Sequence, residues 1–212
     1  MTPAEHPTVS VITPTWQLHK LLFSRCIPSV HGQGYEQTEH IIVSDGPDPQ
    51  LAQRLAPNGP DGARDRWFYA LPEHGTEEHW GHAARQTGID LASGEFITYC
   101  DDDDALRRDH CSLLATALAR NPSAGFAVSR MVQHGGAHPR IIGHGPLAAG
   151  NVGSPMIMHR REILDVANWG PASWIEDWML VQQWLAHGIT YVNVDAETVD
   201  VWPSVWRKDD SA

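Results

Sequence analysis

Apolar positions along the chain switch repeatedly between strand and helix rhythms. Residues 8–13, "TVSVIT", are β-branched and apolar and run up to Pro14, which predicts a buried strand closed by that proline. Leu18, Leu21, Leu22, Ile27 and Val30 then fall at helical spacing. "EHIIVSDGP" predicts a second strand over 39–44, closed by an Asp45-Gly46 turn. A short helix over 50–55 and a Pro- and Gly-rich loop over 57–62 precede a third strand in "RWFYALP". Trp80, Ala83, Ala84, Thr87 and Leu91 mark one face of a helix, and Gly94 follows as its stop.

"EFITYC" predicts the fourth strand, with Asp101, Asp102, Asp103 and Asp104 at its carboxyl end. Leu106, Leu113, Leu114, Ala117 and Leu118 line a further helix, and "FAVSRMV" another strand. Residues 135–153 hold six Gly and two Pro and predict a mobile loop. "SPMIMHRREIL" predicts a strand leading into a helix. "WIEDWMLVQQWLAHG" predicts an amphipathic helix capped by Gly188, and "TYVNVD" a last strand. Neither a repeat nor a linker divides the chain, so residues 1–212 are expected to form one domain.

Strand and helix alternate through the first 120 residues, which predicts an α/β fold with a mostly parallel sheet flanked by helices. Ligands in such sheets bind outside the carboxyl ends of the strands. Unusual residues collect there at three places: Pro14-Thr15-Trp16, Ser44-Asp45-Gly46, and the acidic run.

Composition narrows the partners. A hydrophobic fraction of 42% with 19% charged residues is that of an ordinary globular protein. The net charge of −11 argues against a nucleic-acid backbone as partner. Cys26, Cys100 and Cys111 have no metal-site spacing. The start of the chain lacks the pattern of a signal peptide, and no apolar run reaches the roughly 20 residues of a membrane span. A cytoplasmic location is therefore expected. Thirteen His include His79, His82, His134, His138 and His144, for which solvation is the simpler expectation than zinc.

Four adjacent carboxylates repel one another. A solvated turn tolerates them; a divalent cation uses them, because hard cations take oxygen ligands. The run's neighbourhood bears on the choice. "ARQTGIDLASGEFITYCDDDDAL" resembles the "ARN.G...A.GE.I.F.D.DD" segment of family 2 glycosyltransferases, the GT-A group that uses nucleotide sugars. The first two strands and the helix between them resemble the same family, as does "IMHRREIL" followed by the Glu176-Asp177 helix. The resemblance covers about residues 8–190.

It implies a GT-A (Rossmann-like) fold with a nucleotide-sugar half over about 8–104 and a small acceptor-side half over about 105–212. It further implies transfer of a sugar from a nucleotide diphosphate sugar, UDP by family habit, to an acceptor hydroxyl with inversion. Asp101 and Asp103 would hold Mn²⁺ or Mg²⁺, with Asp101 and Asp102 also near the donor. The register within Asp101–Asp104 stays open. Pro14, Thr15 and Trp16 would bind the nucleobase, Trp16 by stacking, unless its indole is core filler. Asp45 would contact base and ribose, and Arg85 the diphosphate; a turn residue and a surface ion pair are the plainer alternatives. Asp177 would be the catalytic base, with Glu176 beside it, and helix-dipole preference is the competing explanation for that pair.

Three departures from the family pattern are visible. Ser44 stands where many relatives have Asp, Gln86 where Asn is usual, and Gln183 where Arg is frequent. The alternative function is a nucleotide- or sugar-binding module whose transfer chemistry is reduced. A dehalogenase-like phosphatase is disfavoured because Thr-Pro-Thr follows Ile12 in place of a nucleophilic Asp. Dinucleotide and P-loop fingerprints are missing as well.

Overall fold

The computed structural model describes residues 7–56, 66–74, 81–169 and 176–202. Trp80, His79 and the loop expected over 57–62 lie outside them.

Four strands build the first half of the sheet. β1 (Val9–Thr15), β2 (Thr38–Ser44), β3 (Arg66–Ala70) and β4 (Phe96–Tyr99) lie in the order β3-β2-β1-β4, all parallel. β1 and β4 are buried throughout, which is why they read as continuous apolar runs.

β1 does not stop at Pro14. It pairs with β2 as far as Thr15, while β4 leaves it after Ile12. The Thr15 carbonyl accepts from Asp45 on the β2 side, and the Ile12 carbonyl accepts from Cys100 on the β4 side. By alternation the Pro14 nitrogen faces the β4 side, where no strand remains to receive a donor. The missing N–H therefore costs no ladder bond. The same divergence separates the carboxyl ends of β1 and β4, where an open α/β sheet receives its ligand.

The helix expected after β1 is interrupted. α1 (His19–Leu21) passes into a π-helical turn, Leu22–Cys26, and continues as α2 (Ile27–His31). α3 (Pro49–Leu55) has Asp48 as N-cap, its carboxylate accepting from Leu51 N–H at 2.8 Å. α4 (His82–Leu91) lies closely on β1, because a Cβ at Gly88 would stand 2.5 Å from Ile12 Cγ2. Only glycine permits that approach, and it carries Arg85, one turn earlier, towards the end of the sheet.

The second half is mixed. β5 (Ala105–Leu106), β6 (Ala124–Gln133), β7 (Arg140–Ile142), β8 (Ile157–Arg160) and β9 (Thr190–Val201) extend the sheet in the order β4-β8-β6-β9-β5, with β7 on β6. β6 and β9 are parallel, whereas β8 is antiparallel to both neighbours. β7 lies inside the segment expected to be loop, because the end of β6 offers an edge to Ile141 and Ile142. Short 3-10 turns, Ser154–Met156 and Arg161–Asp165, flank β8 where a following helix was expected. α5 (His110–Arg120) and α6 (Glu176–Ala186) complete the described elements.

The apolar side chains form two large clusters. One joins Val9, Val11, Leu22, Leu51 and Leu114; the other joins Ile12, Ile89, Phe126, Leu180 and Trp184. Val11 and Ile12 fall in different clusters as the period of a strand requires. No helix among the described residues is long and apolar enough to cross a membrane.

Two fully buried imidazoles tie the halves together. His159 donates from Nδ1 to the Arg160 carbonyl at 2.9 Å, so its Nε2 accepts the Tyr99 hydroxyl at 2.8 Å. Thr98 gives its hydroxyl proton to the Ile157 carbonyl, so His110 donates to it from Nε2, and Thr198 donates to His110 Nδ1 at 2.8 Å. Burial lowers His110 to about 3 and His159 to about 4, from 6.5. Below about pH 6.5 the unfolded chain binds protons that the folded chain refuses. Stability is thus complete above that pH and is lost progressively as pH falls towards 4. Thermal melts from pH 8 to pH 4.5 should show a falling Tm, and His110→Gln should flatten that slope. A Tm unchanged across the range would contradict the buried neutral state.

Candidate functional site

Each aspartate of the acidic run has different surroundings, which separate four residues that are identical in the sequence. Asp101 Oδ1 accepts from Arg85 Nη2 at 2.7 Å and keeps 31% of its side chain exposed. Asp102 is buried and turns back to β1, where its Oδ2 accepts the Trp16 N–H at 3.3 Å. Asp104 is buried too, and its Oδ1 accepts the Trp202 N–H at 3.2 Å. Asp103 has its backbone carbonyl held by Arg25 Nη1. Its carboxylate has no hydrogen bond to another described residue.

Crowding shows in the titration of the run. Desolvation, with repulsion from Asp103 and Asp101, raises Asp102 to about 7, against the lowering pull of the Thr15 hydroxyl. Desolvation and Asp101 raise Asp103 to about 6. Asp104 is also raised by burial. Among the described residues no group of three or more His, Cys, Asp or Glu side chains is arranged to hold a metal ion. Asp101 and Asp103 nevertheless suit Mg²⁺ or Mn²⁺, because such ions use one or two carboxylates and take further oxygens from phosphates and water. A cation there would also relieve the repulsion that raises Asp103.

α6 brings the second carboxylate site to the same place. Asp177 accepts from the backbone and hydroxyl of Ser154, and its charge interacts with Arg85 and Asp101. Desolvation is the largest influence and raises its carboxyl above the ordinary range; Asp101 raises it further while Arg85 opposes. Raising moves a carboxylate towards the pKa of an effective base near neutral pH. Arg85, buried on α4, therefore joins the acidic run to α6. Its guanidinium carbon lies 5.2 Å from the Trp169 ring, and Trp169 Nε1 donates to the Tyr99 hydroxyl at 3.0 Å. Glu176 opens α6; its side chain lies outside the description.

The other end of the site is aromatic. Trp16, half-buried, stacks on His74 with centroids 4.0 Å apart and planes 7° from parallel. Gly46, at φ +136°, lies against the indole so closely that a Cβ would stand 2.6 Å from it. His74 Nδ1 donates to the Asp45 carbonyl at 2.6 Å and lies 3.4 Å from Asp45 Oδ2. Trp16 thus lies at the edge of the fold and outside its apolar clusters, and Asp45 holds His74 as well as forming a turn. Pro14 and Thr15, at the end of β1, complete this corner.

Sequence reasoning missed Arg25, His74, Ser154, Trp169 and Trp202. Each acts through a partner far away in the chain, so no local spacing signals it. Ser44 is buried, with no partner for its hydroxyl among the described residues. Gln86 bonds Asp90 along α4, and Gln183 turns back to the Met179 carbonyl, exposed. His134 is half-buried, pairs with Asp200 at 2.8 Å and stacks on Trp202, so solvation does not describe it. His138 and His144 are exposed.

The profile of the family described as "Glycosyl transferase family 2" matches residues 10–164. GalNAc(5)-diNAcBac-PP-undecaprenol beta-1,3-glucosyltransferase of Campylobacter jejuni is 35% identical over 121 residues, 57% of this chain and 36% of that protein. The putative colanic acid biosynthesis glycosyl transferase WcaA of Escherichia coli is 38% identical over 102 residues, 47% of this chain and 33% of that protein. The chain thus spans about a third of each of these relatives. Among solved structures, S. aureus TarS 1-349 in complex with UDP-GlcNAc superposes with a TM-score of 0.72 at 16% identity, covering 93% of this chain and 59% of that one. The mannosyltransferase PcManGT of Pyrobaculum calidifontis, in complex with GDP-Man and Mn²⁺, gives 0.69 at 17%, covering 94% and 58%. At these identities the structural likeness establishes the fold.

Proposed function

The chain belongs to glycosyl transferase family 2 and has the GT-A fold, and from that premise we propose that it transfers a sugar from a nucleotide diphosphate sugar to an acceptor hydroxyl with inversion. One observation carries the reading: Asp177 of the second half, Arg85 of α4 and Asp101 of the acidic run interact at one place. A donor half and a base must meet in this way for a single displacement.

Trp16 and Asp45 would receive the nucleobase, with His74 steadying one face of the indole. Asp101 and Asp103 would hold Mn²⁺ or Mg²⁺, which when bound supplies Lewis-acid charge beside the diphosphate. Arg85 adds fixed positive charge there. Asp177 takes the acceptor's hydroxyl proton as the oxygen attacks the anomeric carbon. The bond from that carbon to the diphosphate breaks on the opposite face, and the nucleotide diphosphate leaves with the electron pair. The presence of Asp101, Asp103 and Asp177 argues against binding without turnover, the reduced-module reading, which the compact acceptor side would favour.

A UDP-sugar is the donor we favour, and a relative of the same fold binds UDP-GlcNAc. A thermal-shift panel of UDP, GDP and ADP, each with and without Mn²⁺, tests this. UDP with Mn²⁺ should raise Tm most, and Trp16→Ala should weaken UDP binding by about 1–3 kcal/mol, the range for base–aromatic stacking. Equal binding by Trp16→Ala would remove Trp16 from the base site. A larger shift with GDP would reassign the base.

A further inference from the structure

The π-helical turn Leu22–Cys26 interrupts what the apolar spacing presents as one helix. Such turns are rare and recur at functional sites. Here the turn delivers Arg25 to the acidic run. Arg25 Nη1 donates to the Asp103 carbonyl, and the guanidinium carbon lies over the Trp202 ring, 3.7 Å from its centroid. Trp202 in turn gives its N–H to Asp104 Oδ1 at 3.2 Å and stacks on His134 at 4.7 Å. Two remote stretches of chain therefore close on two successive residues of the run, and a third, at His134, backs Trp202.

We propose that Arg25, seated on Trp202, is a positioning residue that sets the register of the acidic run and so presents Asp101 and Asp103 to a cation bridging a nucleotide diphosphate. The inference rests on the function proposed above. Two of the four carboxylates are already spent on backbone donors, Asp102 on Trp16 and Asp104 on Trp202. A rotation of the loop by one residue would exchange these two with Asp101, which meets the Arg85 side chain, and Asp103. The Asp103 carbonyl is the point at which such a rotation is blocked, because moving it would break the bond to Arg25. The interaction needs a planar fork that can donate and stack together, which guanidinium provides and ammonium does not. Arg25 acts from behind the loop, as outer partners of metal ligands do.

The test compares wild type, Arg25→Ala and Arg25→Lys by calorimetry of UDP, in EDTA and across a Mn²⁺ titration, with Tm measured alongside. Both variants should require about 10–100-fold more Mn²⁺ for half-maximal enhancement, the usual cost of losing an outer partner. UDP affinity in EDTA should stay within about twofold of wild type, because the base corner is untouched. Lysine, which keeps the charge, should not restore the Mn²⁺ response. Three results overturn the inference. One is a Mn²⁺ midpoint in both variants equal to that of wild type. Another is full rescue by lysine, which would leave charge alone as the contribution. The third is parallel loss of Tm and of metal-free UDP binding in both variants, which marks a purely structural residue. Absence of any Mn²⁺ enhancement in wild type overturns it together with the metal role proposed above, whereas failure in the variants alone leaves that role standing.

Discussion

Asp177→Asn should leave nucleotide-sugar affinity near wild type while transfer to an acceptor falls by about 10²–10⁴, the usual contribution of a positioned general base. The asparagine keeps the size of the side chain and an acceptor oxygen for Ser154, but it cannot take a proton. Donor affinity should survive because the proposed base and diphosphate contacts come from β1, β2, α4 and the acidic run, not from α6. Slow donor hydrolysis by water serves as the assay where an acceptor is lacking. Glu176→Gln is the control and should cost much less. If Asp177→Asn retained near-full transfer while Glu176→Gln lost it, the two roles would be exchanged.

Asp103→Ala should abolish the Mn²⁺-dependent part of UDP binding without unfolding the protein. Its carboxyl is raised to about 6 by desolvation and by Asp101, so at neutral pH the folded state holds a charge it disfavours. Linkage gives the sign: a carboxyl raised on folding costs stability that accumulates as pH rises from its unfolded to its folded pKa and is in full force above the latter. Removing it should therefore leave Tm at pH 7.5 unchanged or higher. Calorimetry of UDP with Mn²⁺ is the check, and wild-type affinity in the variant would end the assignment of Asp103 as a ligand.

Much of the fold was legible because its signals are local. β1, β2 and β4 are short, doubly buried strands whose apolar runs stand out, and Asp45 and the acidic run mark their ends. Signals that depend on a distant neighbour were not legible. Pro14 ends a strand by propensity, yet it sits inside β1 because β4 stops two residues earlier. β7 is three residues between glycines and exists because β6 offers an edge. The alternation in "TYVNVDAETVDV" extends β9 to Val201, well beyond the six residues first read as strand. The π turn carries no apolar signature, since shifting one residue leaves Leu22 and Cys26 buried.

The site divides in the same way. Residue types at strand ends pointed to Trp16, Asp45 and the acidic run, and family resemblance supplied Arg85, Asp177 and the provisional choice of Asp101 and Asp103. Neither could distinguish the four aspartates, which differ only in what meets them. Arg85, the Trp16 N–H, Arg25 and the Trp202 N–H approach the run from four separate segments. His74 likewise becomes meaningful only when β3 places it against the end of β2.

A site at which Asp101, Asp103, Arg85 and Asp177 gather should turn over a nucleotide diphosphate sugar. The decisive assay incubates the protein with UDP- and GDP-linked sugars and Mn²⁺ and follows release of the nucleotide diphosphate. Repeated turnovers above the protein-free rate are expected, suppressed by EDTA and by Asp177→Asn. Release that proceeds equally in both, or no release from any donor by a protein that binds none of the nucleotides, would contradict this expectation.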